Sequence, residues 1–261
     1  MSAGGHLHQQ RQRASSFGDD AELYDRVRPP YPGALVDALL ADRPQRVLDV
    51  GCGTGIASRL LAARGCAVLG VEPDPRMAEV ARRRGTEVEV GTIEEWDPKG
   101  RQFDLLVAAQ SWHWVDPEAG ARQAASVLRP GGRIGLFWNQ SYPADDVRAL
   151  MAPVYAAVAP ELGRTSVLLG QRDVSIYETL AQAARDTGLF GEIVIECYPH
   201  DVRYDTEHWL QLAATHSDHH TLPPAQLEAL VHGLREQLGT VGDVVPVRYE
   251  TYLVNGTTRP A

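Results

Sequence analysis

From residue 46 onward, short apolar runs alternate with segments in which apolar residues recur every three or four positions. RVLDV (46–50), AVLGV (67–71), FDLLVAA (103–109) and RIGLFWN (133–139) are nearly continuous in apolar character, as strands are when helices cover both faces of a parallel sheet. TEVEVG (86–91) is a more polar strand of the same series. Between them the spacing predicts helices over 56–64, over 74–84 and over 117–128. The first ends at Gly65, a residue suited to the left-handed position past a helix C-terminus. The other two open on Asp74-Pro75 and Asp116-Pro117. There the aspartate accepts from the free N–H groups of the first turn, and the proline lacks the N–H that would go unsatisfied. Such βα alternation predicts an α/β fold with a doubly wound, mostly parallel sheet. Strands at 191–198 and 246–254 bring it to seven.

Two stretches break the rhythm. Val147, Leu150, Met151, Val154, Tyr155 and Val158 fall on one helical face, with a kink expected at Pro153. A helix over 176–187 then leads back to the sheet. A second helical stretch, 206–238, carries Leu227, Leu230, Val231, Leu234 and Leu238 on one side. The organisation this implies is a mobile polar tail (1–16) and one domain over 17–261. Its core spans about 17–142, 185–204 and 243–261, and insertions at about 143–184 and 205–242 form a helical cap over the ligand edge. The segment FGDDAELYDRVRPPYP (17–32) reads as a stiff extended arm because its prolines forbid helix, and a helix over 33–42 follows.

Charge narrows the partners. With 34 acidic against 25 basic residues and a net charge of −9, a general electrostatic grip on nucleic acid or an anionic membrane is not expected. Three cysteines without CxxC spacing, Cys52, Cys66 and Cys197, provide neither a disulfide scaffold nor a structural zinc site, and no metal is expected. The opening MSAGGHLHQQRQRASS has no apolar core, and no later apolar run approaches the roughly 20 residues that span a bilayer. The expectation is a cytoplasmic protein acting on a small molecule.

The strongest chemical signal is Asp49-Val50-Gly51-Cys52-Gly53-Thr54-Gly55, between the first strand and a helix. Glycines at 51, 53 and 55 permit a tight turn and close backbone approach to a ligand. The second strand ends in Glu72, where a carboxylate can accept both hydroxyls of a ribose. A nucleoside-containing cofactor follows. A dinucleotide fingerprint needs a third small residue at position 56, which is Ile56.

The G-x-G-x-G spacing behind Asp49 resembles motif I of class I S-adenosylmethionine-dependent methyltransferases. The arm AELYDRVRPPYP, the loop VLDVGCGTG, and GVEPDPRM, AAQSWHWVDPE and SVLRPGGRIGLFWN resemble successive motifs of the methyltransferase type 11 family, in its trans-aconitate methyltransferase-like branch. The resemblance covers about residues 17–140; residues 141–261 match in architecture alone. It implies S-adenosylmethionine as cofactor, with its methionyl part at Gly51 and Gly53, its ribose on Glu72, and its adenine near Met77 and the stretch Thr92-Ile93-Glu94. Ile93 would contribute backbone. Tyr24 and Arg28 would fold over the cofactor, Arg28 pairing with the methionyl carboxylate as a guanidinium fork suits.

Gln110 to Trp114, QSWHW, follow the fourth strand beside the first and are expected to wall the transfer site, with Gln110 also on the cofactor. Trp114 reads as an apolar wall. His113 reads as wall or as general base. Trp138 and Asn139, ending the fifth strand, are weaker candidates. The alternatives are a nicotinamide-dependent oxidoreductase and a non-catalytic S-adenosylmethionine-binding protein, since a glycine loop reports binding and not turnover. His216, His219 and His220 with Asp218 fall in a stretch that reads as a solvated loop. Arg82-Arg83-Arg84 read as cations at a helix C-terminus, and Cys52 as a packing residue.

Overall fold

Strand β1 (Arg46–Val50) lies near the middle of a sheet, with four of its five residues buried. In the computed structural model, which describes residue 18 and residues 20–163, 174–240 and 242–259, β1 pairs in parallel with β2 (Ala67–Glu72) and β4 (Phe103–Ala109). The tail expected over 1–16 lies outside the described residues. β3 (Glu87–Val90) joins β2 in parallel, and β5 (Leu128–Pro143) joins β4. β7 (Val245–Thr258) runs antiparallel between β5 and β6 (Phe190–Tyr204). The order is therefore β3-β2-β1-β4-β5-β7-β6. The chain reverses its direction of strand addition between β1 and β4, and the crevice above that point is where open α/β sheets bind ligands.

Helices α1 (Ala21–Val27), α2 (Gly33–Leu39), α3 (Ile56–Ala62), α4 (Pro75–Arg83) and α5 (Pro117–Val127) surround this half. Asp74 and Asp116 cap α4 and α5 as their sequences predict, each accepting from N–H groups of the first turn. One core joins Leu48, Leu106, Ile134 and Val254 to α5, and a second joins Val47, Leu105 and Phe137 to α2 and α3.

Among the described residues the remaining α-helices are α6 (Asp145–Val158), α7 (Ser175–Asp186), α8 (Thr206–Ala214) and α9 (Pro224–Leu238). α6, α8 and α9 build a third core of their own around Met151, Tyr155, Trp209, Leu230 and Leu234. Val27 of α1 and Val245, Val247 and Tyr249 of β7 complete it. Burial of Trp209, with no exposed surface, makes it a large contributor, worth about 3–5 kcal/mol against alanine.

Several expectations need correction. The arm is not extended throughout: AELYDRV forms α1, because Asp20 caps it through the N–H of Leu23 and the prolines begin only at Pro29. Strands β5, β6 and β7 run 16, 15 and 14 residues, well beyond 133–139, 191–198 and 246–254, since their antiparallel ribbon continues past the sheet to floor the cap. The helical stretch 206–238 is two helices separated by a 3₁₀ turn (His219–Thr221). α7, which the expected insertion 143–184 largely includes, packs on the sheet core through Tyr177, Leu180 and Ala184. The helix expected around Pro153 is present as α6, with Pro153 inside it.

Candidate active site

The glycine loop leaves β1 with Gly51, Gly53 and Gly55 all at positive φ, +63°, +56° and +83°. A β-carbon on Gly51 would stand 2.5 Å from Cβ of Ser111, so this glycine serves the approach of the β4 loop as well as any ligand. At Gly53 the nearest atom would be Met77 Cε, at 3.4 Å, and the requirement there is conformational. Ser111 ties the two loops together by donating to the Val50 carbonyl at 2.6 Å.

Two buried carboxylates stand at this edge. Asp49 has no exposed surface; its Oδ2 accepts from Ser58 at 2.6 Å, and its Oδ1 is buried with no hydrogen-bond partner. Burial pushes its pKa up to about 6, although the Ser58 hydrogen bond pulls the other way. Glu72 accepts from the N–H of Gly53 at 2.8 Å and of Asp74 at 2.9 Å, one on each oxygen. Burial raises it to about 7 against those two bonds. A carboxylate has about four acceptor positions, so each oxygen of Glu72 retains one for a ribose hydroxyl.

Over the loop lies α1. Ala21, Met77 and Val80 form a small apolar cluster with Tyr24 against it, which buries Met77 under the arm. Arg28 sets its guanidinium 4.3 Å from the Tyr24 ring centroid and donates to the Thr215 carbonyl at 2.6 Å. It thus joins the arm to the cap. Tyr31, half-buried and with its phenol pushed well up mainly by loss of solvent around the hydroxyl, lies within electrostatic reach of Tyr24, Asp49 and Arg28. Beyond β3, Thr92 Oγ1 is buried and without a partner, Ile93 packs its side chain in the core, and Glu94 accepts the N–H of Asp116 at 3.0 Å. An open groove of about 600 Å³ follows the outer edge of β3 past Arg82, Thr92, Trp96 and Lys99, and of the expected site residues it reaches only Thr92.

On the β4 side Gln110 adopts φ +59°, rare for a residue with a side chain, and reaches the Asn139 carbonyl from Nε2 at 3.3 Å. Strain of this kind gathers at functional sites. His113 and Trp114 sit on a 3₁₀ turn (Trp112–Trp114) with ring centroids 4.9 Å apart. Trp138 donates its indole N–H to His113 Nδ1 at 3.1 Å. Asn139 holds the arm through the Pro30 carbonyl.

Residues outside the expected set do much of the positioning. Arg59 donates to the Thr54 carbonyl of the glycine loop at 2.6 Å and to Asp25 of the arm at 2.7 Å. Arg83 and Arg84 pair with Glu22, and Arg84 also approaches Asp25. Arg83 and Arg84 therefore clasp the arm and are not only helix-end cations, while Arg82 donates to the Val88 carbonyl. The acidic α1 facing RRR was the signal available in the sequence. The expected solvated loop at 216–220 is also corrected. His219 is 1% exposed, with Nδ1 on Asp218 at 2.7 Å and Nε2 on the Tyr155 hydroxyl at 2.8 Å. Among the described residues no group of side chains is arranged to hold a metal ion. No helix among them is long and apolar enough to cross a membrane. Cys52 is buried against Ala78, Ala81 and Val88.

Residues 47–132 match the family model of a methyltransferase domain. An uncharacterized methyltransferase of Mycobacterium tuberculosis is 44% identical over 131 residues, 49% of this chain and 54% of that one. A trans-aconitate 2-methyltransferase of the same species is 36% identical over 134 residues, 48% and 49% of the two chains. The chain thus spans about half the length of the curated relatives it matches. The fold is shared with a protein of Anaeromyxobacter dehalogenans provisionally described as a type II methyltransferase. That likeness has TM-score 0.65 and 22% identity, covering 90% of this chain and 99% of that one. It is shared also with a Haemonchus contortus phosphoethanolamine N-methyltransferase solved with S-adenosyl-L-methionine, at TM-score 0.53 and 16% identity, covering 94% and 57%.

Proposed function

We propose that this chain, in which residues 47–132 match a methyltransferase domain, transfers a methyl group from S-adenosylmethionine to a small-molecule acceptor. The observation that carries the reading is the set of unspent acceptors at the ends of β1 and β2. Asp49 Oδ1 is buried without a partner, and Glu72 is anchored by Gly53 and Asp74 with positions left over. An orphaned buried carboxylate oxygen is unfavourable unless a donor arrives. The ammonium group of a methionyl moiety is such a donor for Asp49, and a ribose diol is one for Glu72.

When bound, S-adenosylmethionine supplies a sulfonium methyl carbon open to in-line displacement. The chain's own residues bind, align and exclude water. Gly51, Gly53 and Gly55 set the loop's path; Met77, Thr92 and Ile93 would border the adenine, with Thr92 Oγ1 awaiting a donor or acceptor. Tyr24 and Arg28 close from the arm, where Arg28 would meet the methionyl carboxylate while tied to the cap. Gln110, His113 and Trp114 wall the acceptor side. The reading extends to one domain over 17–261 whose cap helices face the acceptor, working in the cytoplasm and on neither nucleic acid nor membrane. The net charge of −9 supports that last part.

Incubation with methyl-labelled cofactor and a panel of small-molecule acceptors tests this. Label should appear in an acceptor together with stoichiometric S-adenosylhomocysteine. Tight cofactor binding with no transfer to any acceptor class would favour a binding protein instead.

A further inference from the structure

The Trp138 indole and His113 meet in one direction only. Trp138 Nε1 lies 3.1 Å from His113 Nδ1, and an indole nitrogen donates but never accepts. Nδ1 is therefore the unprotonated nitrogen, and the neutral imidazole carries its proton on Nε2. We propose that Trp138 is a positioning residue that holds His113 as the Nε2–H tautomer, so that His113 serves the site as a hydrogen-bond donor and not as a general base.

A general base offers an unprotonated nitrogen to the nucleophile and must accommodate the imidazolium that results. Here the unprotonated nitrogen is engaged by Trp138, and protonating it would set two donors face to face. The indole is not free to swing away. Trp138 is 4% exposed, its ring centroid lies 5.2 Å from that of Tyr177, and Tyr177 stacks on Tyr252 at 4.8 Å. Trp114 packs against the imidazole at 4.9 Å. Two carboxylates that follow in this part of the chain or pack against it hold backbone N–H groups. Asp116 Oδ1 accepts from Glu118 and Ala119, and Glu94 Oε1 accepts from Asp116. Any proton that an acceptor sheds on methylation leaves by a route other than His113. The catalytic meaning of this assignment rests on the methyl-transfer reading; the tautomer does not.

Nitrogen-15 spectra of the imidazole in the full chain, recorded through a pH titration without cofactor, read the tautomer directly. In the unaltered protein Nδ1 should show the pyridine-like shift and Nε2 the pyrrole-like one. Trp138→Phe keeps an aromatic ring but deletes the N–H, and should raise the proton affinity of His113 about fivefold, the worth of one ordinary hydrogen bond. In turnover, His113→Gln keeps a donor and should lose clearly less than His113→Ala, which should lose about tenfold. A protonated Nδ1 in the neutral unaltered protein would overturn the proposal. So would a titration unmoved by Trp138→Phe, or equal losses of about 10²-fold in both His113 variants. Because the spectra need neither cofactor nor acceptor, failure of the methyltransferase reading would leave the tautomer assignment standing and be recognised separately.

Discussion

Cofactor affinity should fall steeply as pH drops from 8 to 6, because a ribose diol needs Glu72 ionised and the fold resists that ionisation. Burial places Glu72 at about 7 against an ordinary 4.5, even with the Gly53 and Asp74 N–H groups upon it. The unliganded carboxyl would then be about nine-tenths ionised at pH 8 and about one-tenth at pH 6, weakening binding about tenfold. Asp49, at about 6, adds about a further factor of two. Binding should release about half a proton at pH 7 and more as the pH falls, visible in calorimetry as an apparent enthalpy that varies with the ionisation enthalpy of the buffer. Glu72→Gln should cut the proton release to the small share of Asp49, leave only the matching shallow pH dependence, and weaken binding at pH 8 by about 10- to 100-fold through loss of charged hydrogen bonds. The sign reverses for stability without ligand. A raised folded value means that the protonated carboxyl's contribution is complete below 4.5 and lost as pH rises through about 7, about 3 kcal/mol at most. Affinity that stays level between pH 6 and 8 in the unaltered protein, or a tenfold fall over that range undiminished in Glu72→Gln, would refute the reasoning.

Three further outcomes follow from the geometry. Arg59→Gln should loosen the arm and weaken cofactor binding about fivefold, with added salt eroding the difference. Hydrogen exchange over 21–27 should accelerate, and unchanged exchange there would count against the clasp formed by Arg59 and Asp25. Gly51→Ala should lower the melting temperature clearly more than Gly53→Ala, because only the former drives a β-carbon into Ser111 while both share left-handed strain of about 1 kcal/mol; equal melting would show that packing at Ser111 is dispensable. Tyr155→Phe should cost about 1–2 kcal/mol by denaturant unfolding, since it leaves buried His219 Nε2 without the tyrosine hydroxyl.

The parallel half of the sheet is legible because its strands are apolar on both faces and its helices carry aspartate-proline starts, so local and global preferences coincide. Glu72 and the glycine loop are legible for the same reason: strand end, turn and helix start are adjacent in sequence. The ribbon of β5, β6 and β7 is not. Its outer residues, such as Tyr142 and Arg203, lie in stretches of mixed polar and apolar character and are fixed as strand by antiparallel partners more than 40 residues away. α1 was obscured by the prolines that follow it, although Asp20 and seven residues free of glycine and proline precede them. The His219–Tyr155 contact spans 64 positions, and the bond between Trp138 and His113 links β5 to the 3₁₀ turn that follows β4. Neither leaves a periodic trace in the chain.

The most direct test of the central claim is a calorimetric titration of the unaltered protein at pH 8 with S-adenosylmethionine, S-adenosylhomocysteine and NADH in turn. The account predicts one-to-one binding of the first two and no heat from NADH. Binding of NADH with neither sulfur ligand bound would contradict it.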